Sequence, residues 1–482
     1  MISLSQVSFR FQAGGRAALK DLTLKYAAGE FALIAGATGA GKSTLLRAMN
    51  GLAPHFTGGN LTGSIAIDGR DLTGREPHEF AHLVGYVNQL AEASFVADTV
   101  REELAFGMEQ LGVAPASMVA RIDKIAAALD LTEVLDSPLD ELSGGLQQRV
   151  AIGGALAAGQ QILLLDEPTS ELDHASAESL LALLENLAHR SGVTVIMAEH
   201  RLDRLIGRVD SLTIVSPSGE VSKHSDAETF EAVAASAGLM PALASQELSI
   251  RPSNVADSDP VLVASGVSVT YSGSKALENL NLRIYKGTVT GVYGPNGSGK
   301  SSLLWALQGE TNCDGSIEFR DEAGTLTHLS KNLKERLREV AMVPQSASDL
   351  LLMHSVAEEL QDSDYFAAAT EGTTASLLEK LVGKIDYSLH PRDLSSGQQL
   401  ALALAIQLSK GSRVLLLDEP TRGLDYQARN ALAQQIQTLA ESGHAILVAS
   451  HDRAFLLAVT SSCIALENGL AIKAGPTAAV LA

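Results

Sequence analysis

Internal repetition constrains this chain more than any other feature. Five landmarks recur in one order, Gly36 and Gly294, Gln89 and Gln345, Ser143 and Ser395, Asp166 and Asp418, His200 and His451, at offsets of 251 to 258 residues. An offset that long is the length of a whole domain, not of a solenoid unit. The 482 residues therefore read as two tandem copies, 1–239 and 260–482, joined by a linker at 240–259 that is rich in Ser, Ala, Asp and Pro and has no periodicity. The boundary itself is expected near 249–259, after which 261–271 restarts the strand-like alternation of 1–11.

Within each copy the pattern is α/β: a strand, a glycine-rich turn, a helix, a long variable helical stretch, then short aliphatic runs alternating with amphipathic helices. The first copy predicts a buried parallel strand over 162–165, a helix over 175–190 closed by Gly192, and a strand over 193–198. The second repeats them at 414–417, 427–441 closed by Gly443, and 445–449.

Two glycine-rich turns carry the first chemical signal. Gly36-Ala-Thr-Gly39-Ala-Gly41-Lys42-Ser43-Thr44 and Gly294-Pro-Asn-Gly297-Ser-Gly299-Lys300-Ser301-Ser302 both fit the phosphate loop GxxxxGK[ST]. Each follows an expected strand (30–35, 288–293) and opens an expected helix (43–50, 301–308). In that setting the glycines let backbone N–H groups fold around phosphate oxygens, and the helix start adds the positive end of its dipole. The Lys reaches the β- and γ-phosphates, and the hydroxyl of Ser43 or Ser301 ligates magnesium.

Asp166-Glu167-Pro168 and Asp418-Glu419-Pro420 each end a hydrophobic run. Standing alone, an acid pair at a strand end is an ordinary solvated loop start. Behind an aliphatic strand and a phosphate loop, Asp166 and Asp418 suit magnesium through its water shell, and Glu167 and Glu419 suit polarising an attacking water.

Leu142-Ser143-Gly144-Gly145-Leu146-Gln147-Gln148-Arg149 resembles the signature motif of ABC ATPases, and Leu394-Ser395-Ser396-Gly397-Gln398-Gln399 its second copy. The resemblance covers nearly the whole chain. It implies two tandem P-loop NTPase (ABC ATPase) domains, each with a mixed sheet core and a helical subdomain, using ATP and Mg2+. It also implies head-to-tail pairing within the chain, Lys42 sharing one ATP with Ser395 and Lys300 another with Ser143. Gln89 and Gln345 resemble the Q-loop glutamine that joins magnesium and the attacking water to a mobile helical subdomain. Ser170-Glu-Leu-Asp173 and Arg422-Gly-Leu-Asp425 resemble the D-loop, and His200 and His451 the switch histidine that contacts the γ-phosphate. Phe11 and Tyr271 fall where the family stacks an aromatic ring on adenine.

Neither copy has lost its Lys, Asp, Glu, Gln or His, so both halves are expected to hydrolyse ATP. Ser396 stands where the family has glycine and Leu146 where it has glutamine. The added Cβ of Ser396 is expected to slow the site built on Lys42 and Ser395 relative to the other.

A finer resemblance, to the duplicated ATPase of energy-coupling factor (ECF) importers of vitamins and metals, rests on three stretches. These are Asn50-Gly-Leu-Ala-Pro-His-Phe-Thr-Gly-Gly59, the run from Phe95 to Gly112, and Ala198-Glu-His-Arg-Leu-Asp203. Where that family has a Pro-acid-x-Gln step after the Q-loop, Leu90-Ala-Glu-Ala-Ser94 keeps only the acid. The resemblance implies a transmembrane coupling subunit and a substrate-binding membrane subunit as partners, and a place at the cytoplasmic face of the cell membrane. Glu92, Asp98, Glu102 and Glu103, with Asp349, Glu358 and Glu359 in the second copy, are expected to flank grooves for the coupling helices of a transmembrane partner.

Composition narrows the alternatives. A formal charge of −20 argues against nucleic acid as a main partner, which normally calls for clustered Lys and Arg. A soluble tandem ABC ATPase acting on ribosomes or nucleic acid is the alternative, and it would normally show a basic surface, a long charged linker or zinc-binding cysteines. Only Cys313 and Cys463 are present, which fits a reducing compartment. The start of the sequence reads as a strand without the pattern of a signal peptide, and no stretch approaches the roughly twenty apolar residues that span a bilayer. Direct membrane insertion is not expected.

Overall fold

A computed structural model describes residues 1–11, 17–241, 259–320, 325–328 and 333–482. The chain forms two compact units that change over between residues 245 and 246. That changeover, and nearly all of the linker expected at 240–259, lie outside the described residues.

In the first unit the expected buried strand is Ile162–Asp166, one member of a six-stranded sheet. The order across the sheet is Val221–His224, Ser211–Val215, Phe31–Ala35, Thr194–Ala198, Ile162–Asp166, Val84–Val87. The neighbours run parallel except at Val221–His224, which is antiparallel to Ser211–Val215, so the sheet is mixed as expected.

The three central strands are buried along their whole length, which is why their sequences show no alternation. The period of two survives in which core each side chain enters. Leu33, Leu163, Leu165, Val195 and Met197 enter one, while Ile34, Ile162, Leu164 and Ile196 enter the other. The first core is filled by helices, among them Val100–Gln110, Gly144–Leu156 and His174–His189. The last of these is the helix expected at 175–190; Asp173 caps it by accepting the Ser176 amide at 2.8 Å.

The second core is closed by helix Lys42–Met49 and a four-stranded antiparallel sheet, Leu19–Tyr26, Ile2–Arg10, Asn60–Ile67, Arg70–Asp71. Only Ile2–Arg10 of that sheet was expected from the sequence. Its other pairings are long-range, and nothing local in the chain announces them.

The second unit repeats the plan. Its six-stranded mixed sheet runs Val340–Val343, Val414–Asp418, Ala445–Ser450, Val289–Tyr293, Ser462–Glu467, Leu470–Pro476. Its antiparallel sheet runs Ser274–Tyr285, Pro260–Tyr271, Asp314–Arg320, Leu326–His328. The helical layers differ. In the first unit the apolar residues of that layer join the sheet in one continuous cluster. In the second, Val356, Leu360, Leu378, Leu394 and Leu402 form a cluster of their own, apart from the sheet.

Candidate nucleotide site

Each glycine-rich turn sits where the sequence placed it, between a central strand and a helix that begins at the lysine. Gly41 and Gly299 need to be glycine. Their φ values are +108° and +99°, and a Cβ would lie 2.8 Å from the Ala18 carbonyl oxygen in one case and 2.4 Å from that of Ala276 in the other. Gly36 and Gly39 in the first turn, and Gly294 and Gly297 in the second, complete the two bends, with Thr44 and Ser302 half-buried in the helical turn that follows.

Both lysines are buried and folded back on their own loops. Lys42 Nζ donates to the carbonyls of Gly36 at 2.9 Å and Ala37 at 3.3 Å. Lys300 Nζ donates to Gly294 at 2.8 Å and Pro295 at 3.0 Å. Burial pulls the pKa of Lys42 down, while the carboxylates of Glu167 and Asp166 act in the opposite direction.

In the first unit the strand end brings the expected residues together. Ser43 Oγ donates to Asp166 Oδ1 at 2.9 Å, Gln89 Nε2 donates to Glu167 Oε2 at 3.3 Å, and His200 Nε2 stands 2.6 Å from Glu167 Oε1. Lys42 Nζ is 4.0 Å from the same oxygen and 3.3 Å from His200 Nδ1. Asp166 is held above the usual carboxylate range by its burial and by Glu167, against the pull of Ser43.

The second unit assembles the same set differently. Lys300 Nζ is 3.3 Å from Glu419 Oε1, and His451 Nδ1 is 2.9 Å from Glu419 Oε2. Burial would raise the Glu419 carboxyl, but His451, Lys300 and the Ser450 hydroxyl outweigh it and hold the group below its usual range. Burial drives Asp418 up to about 6, with Ser301 opposing and Glu419 adding to the rise. Both Q-loop candidates are exposed, but only Gln89 reaches its acid; no hydrogen bond joins Gln345 to Glu419.

The fit to magnesium can be tested on the donor set. Asp418 Oδ1 is buried without a hydrogen-bond partner, a position that a hydrated cation would satisfy. Among the described residues no three His, Cys, Asp or Glu side chains gather into a ready-made metal cage. Magnesium does not need one, since it is commonly held by one or two carboxylates together with phosphate oxygens and water. Ser43 with Asp166, and Ser301 with Asp418, fit that pattern.

The signature segments lie apart from these clusters. Ser143 and Ser395 are N-caps, of helices Gly144–Leu156 and Ser396–Ser409, accepting the amides of Leu146 at 3.4 Å and Gln398 at 3.3 Å. Gly144 and Gly145 in one helix, and Ser396 and Gly397 in the other, form the first turn. A Cβ built at Gly144 meets nothing nearer than Leu172 at 3.8 Å, so this position would accept a side chain like that of Ser396. Phe11 and Tyr271 each leave nearly half of their surface exposed; Phe11 packs edge-on against Phe9 at 5.0 Å, and the Tyr271 hydroxyl lies 3.3 Å from Thr311 Oγ1.

Sequence reasoning missed three residues at these strand ends. Tyr86 donates to Asp166 Oδ2 at 3.3 Å, and its phenol is pushed up to about 12 by burial and by that carboxylate. Its only signal was its place three residues before Gln89, where the second copy has Met342. Glu199 and Ser450 immediately precede the two histidines. Both are fully buried, and burial, followed by the charge of Glu167, holds the Glu199 carboxyl above its usual range. Comparing the two copies position by position would have flagged them.

The acids expected to line docking grooves divide in two. Glu102 completes a capping box with Thr99, Glu358 Oε2 accepts the amide of His354 at 3.1 Å, Glu103 accepts the amides of Val96 and Ala97 at 2.9 and 3.0 Å, and Glu359 accepts that of Met353 at 2.7 Å. These four carboxylates hydrogen-bond within their own segments of the chain. Glu92, Asp98 and Asp349 remain exposed.

The ABC transporter family pattern matches residues 19–170 and 277–422. This chain belongs to the ABC transporter family. It is an ATP-binding, ATP-hydrolysing member carrying two cassettes in tandem. A protein of Streptomyces avermitilis named "Putative ABC transporter ATP-binding protein" is 36% identical over 535 residues, covering 100% of this chain and 95% of its own length. One of the same name from Treponema denticola is 29% identical and covers 98% and 96%. Among solved structures, the archaeal ribosome recycling factor aABCE1 in complex with the archaeal ribosomal stalk protein aP1 superposes with a TM-score of 0.62. It is 23% identical and covers 96% of this chain and 88% of that one, a likeness of fold.

Proposed function

We propose that this ATPase powers an importer of the energy-coupling factor type, driving uptake of a small micronutrient such as a vitamin, a vitamin precursor or a metal ion. It would do so from the cytoplasmic face of the membrane, through a separate coupling subunit and a substrate-binding membrane subunit. Among the described residues no helix is long and apolar enough to cross a membrane, so the path for substrate belongs to those partners.

In this reading the amides of 36–42 and 294–300 wrap the phosphates of ATP. The ammonium groups of Lys42 and Lys300 exchange their loop carbonyls for phosphate oxygens. Ser43 with Asp166, and Ser301 with Asp418, would hold magnesium, which would neutralise charge on the phosphates. Glu167 and Glu419 orient and polarise the attacking water, with His200 and His451 beside them, and Phe11 and Tyr271 offer exposed rings to adenine. Ser143, Gly144 and Gly145, and Ser395, Ser396 and Gly397, present helix-start amides suited to a γ-phosphate.

One observation carries the membrane-partner reading. In both units the segment after the Q-loop glutamine exposes apolar side chains among free acids, Leu90 and Val96 beside Glu92 and Asp98 in one, Leu352 beside Asp349 in the other. Those side chains are large and bare, Leu352 being 78% exposed, and Glu103 and Glu359 brace the loops that carry them. Apolar surface rimmed by charge on a braced loop is the anatomy of a docking site.

Affinity purification of the tagged chain from detergent-solubilised membranes tests this. Recovery of small, very hydrophobic integral subunits is expected, and co-purifying ribosomes in their place would sink the proposal. The ribosome alternative has the likeness to the recycling factor behind it, but that likeness speaks to fold. With 56 acidic against 36 basic residues the chain lacks the excess of positive charge that RNA binding needs.

A further inference from the structure

Glu199 and Ser450 hold the same place in the two copies, and their chemistry is opposite. Ser450 Oγ donates to Glu419 Oε2 at 3.0 Å, and the amide of His451 donates to both oxygens of Glu419, at 3.0 and 3.2 Å. The last residue of strand Ala445–Ser450 and the one after it thus hold the acid, through one hydroxyl and one amide. In the first unit the amide of His200 donates to Glu199 Oε1 at 3.0 Å, and Glu199 Oε2 accepts the hydroxyl and amide of Thr169 at 2.8 and 3.4 Å.

Both carboxyl oxygens of Glu199 act as acceptors here, so the residue takes the place of a hydroxyl donor and captures the neighbouring amide. Glu167 receives neither. Its Oε2 is held instead by Gln89, the contact that Gln345 does not make to Glu419. One substitution and one exchange of partners account together for both differences.

We propose that Glu199 is a positioning residue that makes the orientation of Glu167 depend on Gln89, whereas Ser450 ties Glu419 to the backbone and frees it from Gln345. The inference rests on Glu167 and Glu419 being the carboxylates that polarise water. Its consequence is an asymmetry: the first base loses a donor when Gln89 moves, while the second keeps the Ser450 hydroxyl and the His451 amide whatever Gln345 does.

Single-turnover ATP hydrolysis by the full chain, purified with the subunits that accompany it, resolves the question. Glu167→Gln and Glu419→Gln identify which kinetic phase belongs to which half. Gln89→Ala should slow the first phase about tenfold, the worth of one hydrogen bond to a charged group, with the apparent KM for ATP unchanged. Gln345→Ala should slow the second phase by less than Gln89→Ala slows the first. In the Glu199→Ser background the cost of Gln89→Ala should shrink to about twofold, whereas Glu199→Gln, which keeps an acceptor for the His200 amide, should preserve the tenfold loss. Ser450→Glu should make the second phase newly sensitive to Gln345→Ala.

A Gln89→Ala loss that Glu199→Ser does not alter would overturn the proposal, and so would equal losses from the two glutamine variants. If neither Glu→Gln variant removes a phase, the assignment of the bases has failed instead, a result readable before any glutamine is changed.

Discussion

Glu167 and Glu419 have φ values of +50° and +46°, in the left-handed region where a non-glycine residue costs about 1–3 kcal/mol. Their amides are pinned to the carbonyl oxygens of Ala198 and Ala449, at 2.9 and 2.8 Å, which extends the parallel ladder by one residue and holds the acid in that conformation. The same strain at both strand ends points to a carboxylate that must leave the sheet at a set angle. Glu419 has its hydroxyl and amide donors already in place, whereas Glu167 depends on side chains. Glu419→Gln should therefore remove a larger share of total ATP turnover than Glu167→Gln, in a steady-state phosphate-release assay; equal losses would count against it. The sequence had suggested the same order for a different reason, the extra Cβ of Ser396. That reason concerns the approach of backbone to phosphate, whereas the donors around the acids act within each unit and lead to the same order.

At the scale of elements, Arg149 separates the two helical layers. Its guanidinium donates to the Leu129 carbonyl at 2.8 Å, to Asp130 Oδ2 at 2.7 Å and to Ser179 Oγ at 2.7 Å, stitching helix Pro115–Ala128 and its exit to helix His174–His189. The matching residue in the second unit is Ala401. There a groove of about 310 Å³ opens, lined by Ser395, Gly397, Ala401, Ala428, Leu432 and Gln435. Arg149→Ala should destabilise the first unit by about 2 kcal/mol, the scale of hydrogen bonds to a charged group, read as a lower urea midpoint and faster amide exchange in Pro115–Ala128.

How much of this was legible follows from where the physics is local. A phosphate loop is written in neighbouring residues, and a wholly buried strand shows as an aliphatic run, so the loops, Asp166, Asp418 and the helices after them fell within a residue or two of expectation. The antiparallel sheets depend on partners far along the chain, such as Ile2 facing Ile67, and left only one strand of each visible. Thr99 and Ser355, three residues before Glu102 and Glu358, spell the starts of two helices, a local signal that the sequence carried in full. Tyr86 and Glu199 looked like strand filler and an incidental acid because their partners, Asp166 and Thr169, come from other segments.

At the scale of the whole molecule, the exposed acids beside Leu90, Val96 and Leu352 are the handle for testing assembly. Reversing Glu92, Asp98 and Asp349 to Lys should weaken recovery of membrane subunits about tenfold, equivalent to about 1.4 kcal/mol, in quantitative pull-downs. Unchanged recovery would show that these loops do not dock a partner. The tandem arrangement matters for a further reason. In an enzyme assembled from two copies of one gene product, any replacement appears twice and both halves change together. Here Glu at 199 can coexist with Ser at 450, and Arg at 149 with Ala at 401, in every molecule synthesised. Covalent linkage keeps such differences in fixed one-to-one proportion, so the halves are free to specialise without being shuffled into mismatched pairs.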